Sequence, residues 1–372
     1  MSSFVPSMLP IAPLWLALGF VPVASAGQPN TEQSVQQQRI DDLIRQLGSD
    51  QIGKREEAMK ELVAVGAPAL KALSRALGSS DPEIARRAMQ CIPLIQDNIQ
   101  VAALIAALDD PSADTRTKAA NALMEMGKKA EAAVPRLMKA LATDGDSRVR
   151  ERAAVAFGFL GPKAQVAVPT MIATLKDKQA SDNLRMAIAI TLARIGGPEA
   201  EKGAPILLVM LQSDNWQPRA IAAFALGSLG PKQEGVVDAL LKALNDDHES
   251  VQGNAASALG LLGREPDRCV PRLTKALHSL KDYSGKNDPR NGILGGLGKF
   301  GEKAAQAVPA ICEIAADEKA DTFTRSIAIR TLGDIGPAAH AAVPCLKSIL
   351  TDAHPRILAE QAAAALTKIT KE

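Results

Sequence analysis

Aromatic side chains are scarce in this chain: seven Phe, two Trp and one Tyr among 372 residues. Without interleaved aromatics there is no platform for stacking bases, and a strong basic excess is missing too, with 43 Lys and Arg against 41 Asp and Glu. Both absences argue against a nucleic-acid partner. Arg148, Arg150 and Arg152 form a local cluster, read as a solvated helix face. β-Branched runs bounded by turns are sparse, which disfavours a sheet. The apolar content, 47%, is carried by Ala, Leu, Val and Ile, and the two commonest of these are strong helix formers. An all-α chain is expected before any pattern is read.

Residue types that hold metals or do chemistry are equally thin. The four cysteines, Cys91, Cys269, Cys312 and Cys345, and the four histidines, His248, His278, His340 and His354, are scattered. No spacing resembles a zinc site, and no cofactor is implied. Gly295-Gly296-Leu297-Gly298 follows no strand and is no phosphate loop. No catalytic constellation emerges, so the chain reads as a non-enzyme. An even cysteine count in an exported chain permits disulfides. Three of the four sit in predicted helices at unmatched repeat positions, which favours buried free thiols.

Charge is absent altogether from residues 1–26. Met8 to Val23 is apolar, and the segment ends in Ala24-Ser25-Ala26. This is the pattern of a secretory signal peptide cleaved after Ala26, and it places the mature chain in the periplasm or outside the cell. No Lys or Arg precedes the apolar core, which departs from that pattern. The competing reading, a membrane anchor, is weakened by Pro10, Pro13 and Pro22. No other stretch is apolar enough to span a bilayer. Residues 27–38, with Gln36-Gln37-Gln38, form a polar lead-in.

What the chain does have is a repeat. Val134-Pro135, Val168-Pro169, Val270-Pro271, Val308-Pro309 and Val343-Pro344 recur, with Ala204-Pro205 as a variant. Leucine-type residues follow three and seven positions later, as in Leu137/Leu141 and Leu273/Leu277, so one face of a first helix is apolar. Proline is tolerated at a helix start, where its missing N–H has no partner to lose. A second helix follows, patterned Arg-x-x-Ala-Ala-x-Ala-Leu-x-x-x-Gly, as in Arg116 to Gly127. Its glycine closes the helix. Units begin near residues 40, 70, 101, 134, 168, 204, 237, 270, 308 and 343. Pro93 falls inside the second helix of the second unit and should kink it.

The Val-Pro first helix, the Asp-bearing turn and the Arg-x-x-Ala-Ala second helix resemble HEAT repeats, and the short Ala- and Gly-Pro-rich form is similar to the phycobilin-lyase-like HEAT subclass. The resemblance covers residues 39–372. It implies a right-handed α-solenoid of about ten helix pairs. It also implies a structural ladder in which a turn Asp pairs with a second-helix Arg. Asp110 precedes Arg116 by six, Asp144 precedes Arg150 by six, and Asp214 precedes Arg219 by five; Asp50/Arg55 and Asp81/Arg86 also fit. Gln252 and Ala359 break the arginine series. The HEAT-like iron hydroxylases need several His-Glu pairs, and only His248-Glu249 is present.

Function is therefore sought on surfaces. Second helices of such solenoids line the concave face. Counting from the arginine, positions two, five and nine point away from the buried stripe. In units four to seven these include Val155, Phe159, Ile190, Ile221, Phe224 and Leu261. They form either an apolar strip that receives a protein or peptide, or side chains packed between adjacent helices. Exposure below about a fifth at Phe159, Ile190 and Phe224 sinks the strip. A second candidate is the long turn 278–290, which carries Tyr283, read as a binding loop or a tolerated insertion. The expectation is an exported protein-binding scaffold; its rival is an enzyme or accessory protein of the chromophore or cofactor lyase type.

Overall fold

A computed structural model of the chain describes residues 31–230, 232–280, 283, 288–350 and 355–371. The signal-peptide segment, His354 and part of the turn 278–290 lie outside the described residues. Every regular element among the described residues is helical. Contacts divide the chain into two compact units, residues 1–95 and 96–372.

In the first unit, α1 (Thr31–Gln46) pairs with α2 (Ile52–Val65), and α3 (Leu70–Ala76) leads into α4 (Pro82–Ala107). Ile40 and Leu43 of α1, and Leu47 just after it, meet Leu62 and Leu73 in one buried cluster. Helix α1 begins at Thr31, so it takes in most of the stretch read as a polar lead-in. Helix α4 brings a further correction. The second helix of unit two and the first of unit three are one unbroken helix running through Pro93. The proline does not end it because its side of the helix is open: Met89, Pro93 and Leu94 are exposed, so the carbonyl that loses its N–H partner faces solvent.

In the second unit the helices alternate. The first helices are α6 (Val134–Thr143), α8 (Val168–Lys176), α11 (Ala204–Met210), α13 (Val236–Ala243), α15 (Pro266–Ser279), α17 (Val308–Ala316) and α19 (Val343–Ile349). The second helices are α5 (Ala113–Met126), α7 (Ser147–Phe157), α9 (Asp182–Ile195), α12 (Trp216–Leu229), α14 (Glu249–Leu262), α16 (Arg290–Lys299), α18 (Thr322–Ile335) and α20 (Arg356–Thr370). A short helix, α10 (Gly197–Glu201), precedes α11. Second helices start where a side chain caps free N–H groups: Ser112, Asp146, Ser181 and Asp321 each accept from the first turn. The alanine stripe is buried as the pattern requires, with Ala119, Ala153, Ala222 and Ala255 at 2% exposure or less. Each second helix stacks on the next, and one apolar cluster runs from Val101 to Ile369.

Between second and first helices lies an element the sequence reading missed. Gly127–Ala133, Pro162–Ala167, Gly301–Ala307 and Gly336–Ala342 are 3-10 turns. Each buries two alanines three residues apart, such as Ala130/Ala133 and Ala304/Ala307, the period of a 3-10 helix. Val-Pro then opens α6, α8, α17 and α19 as expected. Val270-Pro271 does not open α15. Glu265 takes a left-handed conformation, Pro266 starts the helix and Pro271 lies inside it.

Candidate functional site

The arginine ladder shows how the site is held. Arg116 donates from Nε and Nη2 to the two carboxylate oxygens of Asp144, both at 2.8 Å. Arg219 grips Asp246 the same way, at 2.8 and 2.7 Å. Arg150 reaches Asp177 at 3.5 Å. The carboxylate thus belongs to the following turn. This corrects the pairing of Asp110 with Arg116, Asp144 with Arg150 and Asp214 with Arg219. Toward its own turn each arginine uses main-chain carbonyls instead: Arg116 donates to Asp110 O, and Arg219 to Ser213 O and Asp214 O. The turn carboxylate is occupied in closing the loop, as when Asp110 accepts from Ser112 N–H and Asp144 from Asp146 N–H. Arg55 and Arg86 both meet Glu83 rather than Asp50 and Asp81. Gln252 keeps half of the arrangement, donating to Asp246 O at 2.7 Å.

Burial raises the Asp144 carboxyl, but the Arg116 guanidinium and the Asp146 N–H outweigh it, so its pKa sits below the ordinary value. Asp246 is lowered in the same way, burial being outweighed by Arg219 and the His248 N–H. Glu83, with Arg86 and Arg87 hydrogen-bonded to it, falls to about 2.

Phe159, two residues past the end of α7, is 41% exposed, and on the outward face of the second helices Phe224 is 42% and Leu261 52% exposed. Val155, Ile190 and Ile221 are partly buried between them. Because α7 stacks on α9 and α9 on α12, the residues of α7, α9 and α12 fall on neighbouring turns. Leu261 lies one helix further on, beside the polar Ser257 and Asn254 of α14. The Arg194 guanidinium lies over the Phe159 ring, 4.6 Å from its centre, a cation–π contact that leaves the outer edge of the ring in water. The same rows turn polar at Lys118 and Glu125 of α5. They do so again on α18 and α20, where Lys368 pairs with Asp334 at 2.9 Å. The apolar strip is therefore bounded at both ends. Tyr283 is not part of it. Its carbonyl accepts from Arg290 at 3.2 Å, and Arg290 also holds Asp288, which ties the long turn to the start of α16.

The edge formed by the second-helix N-termini carries features the sequence reading missed. Trp216 and His248 stack with ring centres 3.7 Å apart. His248 Nδ1 accepts from Ser250 N–H, so this histidine caps α14. Next to it, an open cleft of about 770 Å³ is lined by Glu249, Asn254, Ser257, Asn291, Asp321 and Phe323. Beside it α14 and α16 touch through glycine: a Cβ on Gly292 would lie 2.2 Å from Gly253 O, and one on Gly296 would lie 2.4 Å from Ala256 O. The glycines were visible in the sequence, but nothing there said which of them face each other. No group of three metal-ligating side chains occurs among the described residues, and no helix among them is long and apolar enough to cross a membrane.

Comparison with solved structures places this architecture. An engineered protein is 23% identical with a TM-score of 0.50, over 89% of this chain and 99% of its own. Importin beta is 15% identical with a TM-score of 0.53, over 91% of this chain and 50% of its own. A chain from the complex of CpcE and CpcF of phycocyanin lyase from Nostoc sp. PCC7120 is 26% identical over 67% of this chain and 94% of its own, with a TM-score of 0.43. The first two likenesses describe the fold, and none of the three carries an activity across. No curated protein matches the sequence. HEAT repeats match residues 69–158, 203–285 and 270–367, and the chain belongs to the HEAT-repeat family.

Proposed function

We propose that the chain is an exported binding scaffold whose second-helix face receives a polypeptide. One observation carries the reading: Phe159 and Phe224 keep about two fifths of their surface in water, at 41% and 42%, on one continuous face. Singly exposed apolar residues are ordinary, but an apolar strip rimmed by charge marks an interaction surface. Val155, Ile190 and Ile221 supply the floor between the two rings. Arg194 and Arg152 supply polar contacts at the margin, and an apolar helix or extended peptide with acidic flanks would suit them. Leu261 extends the strip; Tyr283, on the turn edge, does not. Export rests on the uncharged, apolar residues 1–26 with Ala24-Ser25-Ala26.

The test is an affinity capture from the envelope fraction of the native host, comparing wild type with a Phe159→Asp/Phe224→Asp variant of unchanged melting temperature. A polypeptide held by wild type and lost by the folded variant supports the reading. Equal capture by both removes the strip. A chromophore or cofactor co-purifying with the chain would favour the lyase-type reading instead. N-terminal sequencing of the mature protein tests export, with Gly27 as the expected first residue.

A further inference from the structure

Four cysteines at unrelated repeat positions gave no pairing from the sequence. In the folded chain two of them meet. Cys312 stands on α17 and Cys345 on α19, first helices of consecutive repeats that pack side by side. Cys345 Sγ donates to the Cys312 carbonyl oxygen at 3.7 Å, across the contact between α17 and α19. Both are only partly buried, whereas Cys91 and Cys269 are fully enclosed.

We infer that Cys312 and Cys345 are a dithiol that closes to a disulfide, stapling the first helices of the last two repeats. The Cys345 sulfur already reaches the Cys312 main chain across one helix contact, so closure needs the two side chains to turn toward each other. The oxidant is a disulfide, either small or borne by a thiol oxidoreductase. One of the two cysteine thiolates attacks one sulfur of that donor and expels the other as a thiolate. The second cysteine, after giving up its proton, attacks the first in the mixed disulfide and releases the remaining donor thiol. The protein dithiol is oxidised by two electrons and the donor disulfide is reduced by two.

The neighbouring Cys312 thiol lowers the Cys345 pKa against the opposing effect of burial, and Cys345 raises that of Cys312, with burial acting in the same direction. Cys269, pushed up to about 11 by burial, and Cys91, raised by burial, stay out of the exchange. The closed loop encloses the whole of α18, so its unfolding is restricted. The inference is independent of the docking face.

The experiment equilibrates the full chain in graded mixtures of reduced and oxidised glutathione, quenches with acid, alkylates, and maps tryptic peptides without reduction. The expected product links residues 304–319 to residues 331–347 and is two hydrogens lighter than the separate peptides. Cys91 and Cys269 become alkylated only after unfolding. The oxidised wild type should melt higher than the reduced protein. Cys345→Ser should abolish both the link and the rise in Tm. Glutathione retained on Cys312 or Cys345 without a link, both thiols still alkylatable in the most oxidising mixture, or a rise in Tm that survives in Cys345→Ser would each overturn the proposal.

Discussion

Arg116 and Asp144 hold each other through two parallel hydrogen bonds of 2.8 Å across 28 residues of sequence. Arg219 and Asp246 repeat the relation further along the second unit. Each arginine also ties down carbonyls of its own turn, so one side chain fixes two loops at once. Asp246→Ala removes the fork and the acceptor of the His248 N–H, and should cost about 2 kcal/mol. Arg219→Lys keeps the charge and loses the fork, and should cost roughly half as much. The shift of the urea midpoint measures both.

Acid should unravel the same joints. The pKa values of Asp144 and Asp246 are lowered in the fold. Their contribution is therefore complete above the unfolded carboxyl value of about 3.9 and is lost as the pH falls through the folded value. Glu83, held at about 2, behaves alike. The melting temperature of wild type should fall steeply from about pH 4 downward. An Asp144→Asn/Asp246→Asn variant should start lower at neutral pH and show a shallower acid slope. Equal slopes would mean that these carboxylates do not drive acid unfolding.

Two glycines of α16, three residues apart, should respond in opposite directions. Alanine at Gly292 would drive a methyl into the Gly253 carbonyl at 2.2 Å, whereas at Gly295 it meets nothing within 4 Å. Gly292→Ala should destabilise by about 2–3 kcal/mol. Gly295→Ala, in an open helical position, should stabilise by about 0.5–1 kcal/mol. Chemical denaturation of the two variants side by side is the check.

The exposed strip should be nearly free of folding duty. Leu226 is fully buried, and Phe224 two residues earlier is 42% exposed. Leu226→Ala should cost about 2–5 kcal/mol, and Phe224→Ser about 1 kcal/mol or less. A Phe224→Ser loss matching that of Leu226→Ala would show that the ring belongs to the core, and would remove the reason to read it as a docking residue.

The sequence was informative where structure depends on local rules. Val134-Pro135 opens a helix because proline's constraints are local. Phe224 faces out while Leu226 faces in because the rotation per residue is fixed. It misled where the outcome depends on neighbours in space. Asp144 looked like the partner of Arg150, six residues on, yet it answers Arg116 from the preceding repeat. Pro93 looked like a break, but an open helix side lets the chain run on. Val270-Pro271 matched the helix-start pattern, and Pro266 took that place four residues earlier. Ile190 satisfied the outward rule and is nevertheless partly covered by neighbouring helices. The meeting of Cys312 with Cys345 needed the stacking of α17 on α19, which spacing does not encode.

The glycine contact between α14 and α16 has a consequence for how such a chain can be rearranged. At that junction Gln252 stands where arginine would carry the charge, and Asp288 is taken by Arg290. The neighbours are joined by bare backbone, Gly253 to Gly292 and Gly260 to Gly296, where α5 and α7, and α12 and α14, are joined by a guanidinium and a carboxylate. The modules are therefore not interchangeable. A duplicated or transplanted copy of this pair could attach only to a surface that also lacks side chains, while a copy from the arginine-bearing part would demand an acid from its successor. The order of the repeats is written into their joints, and shuffling them would be resisted there first.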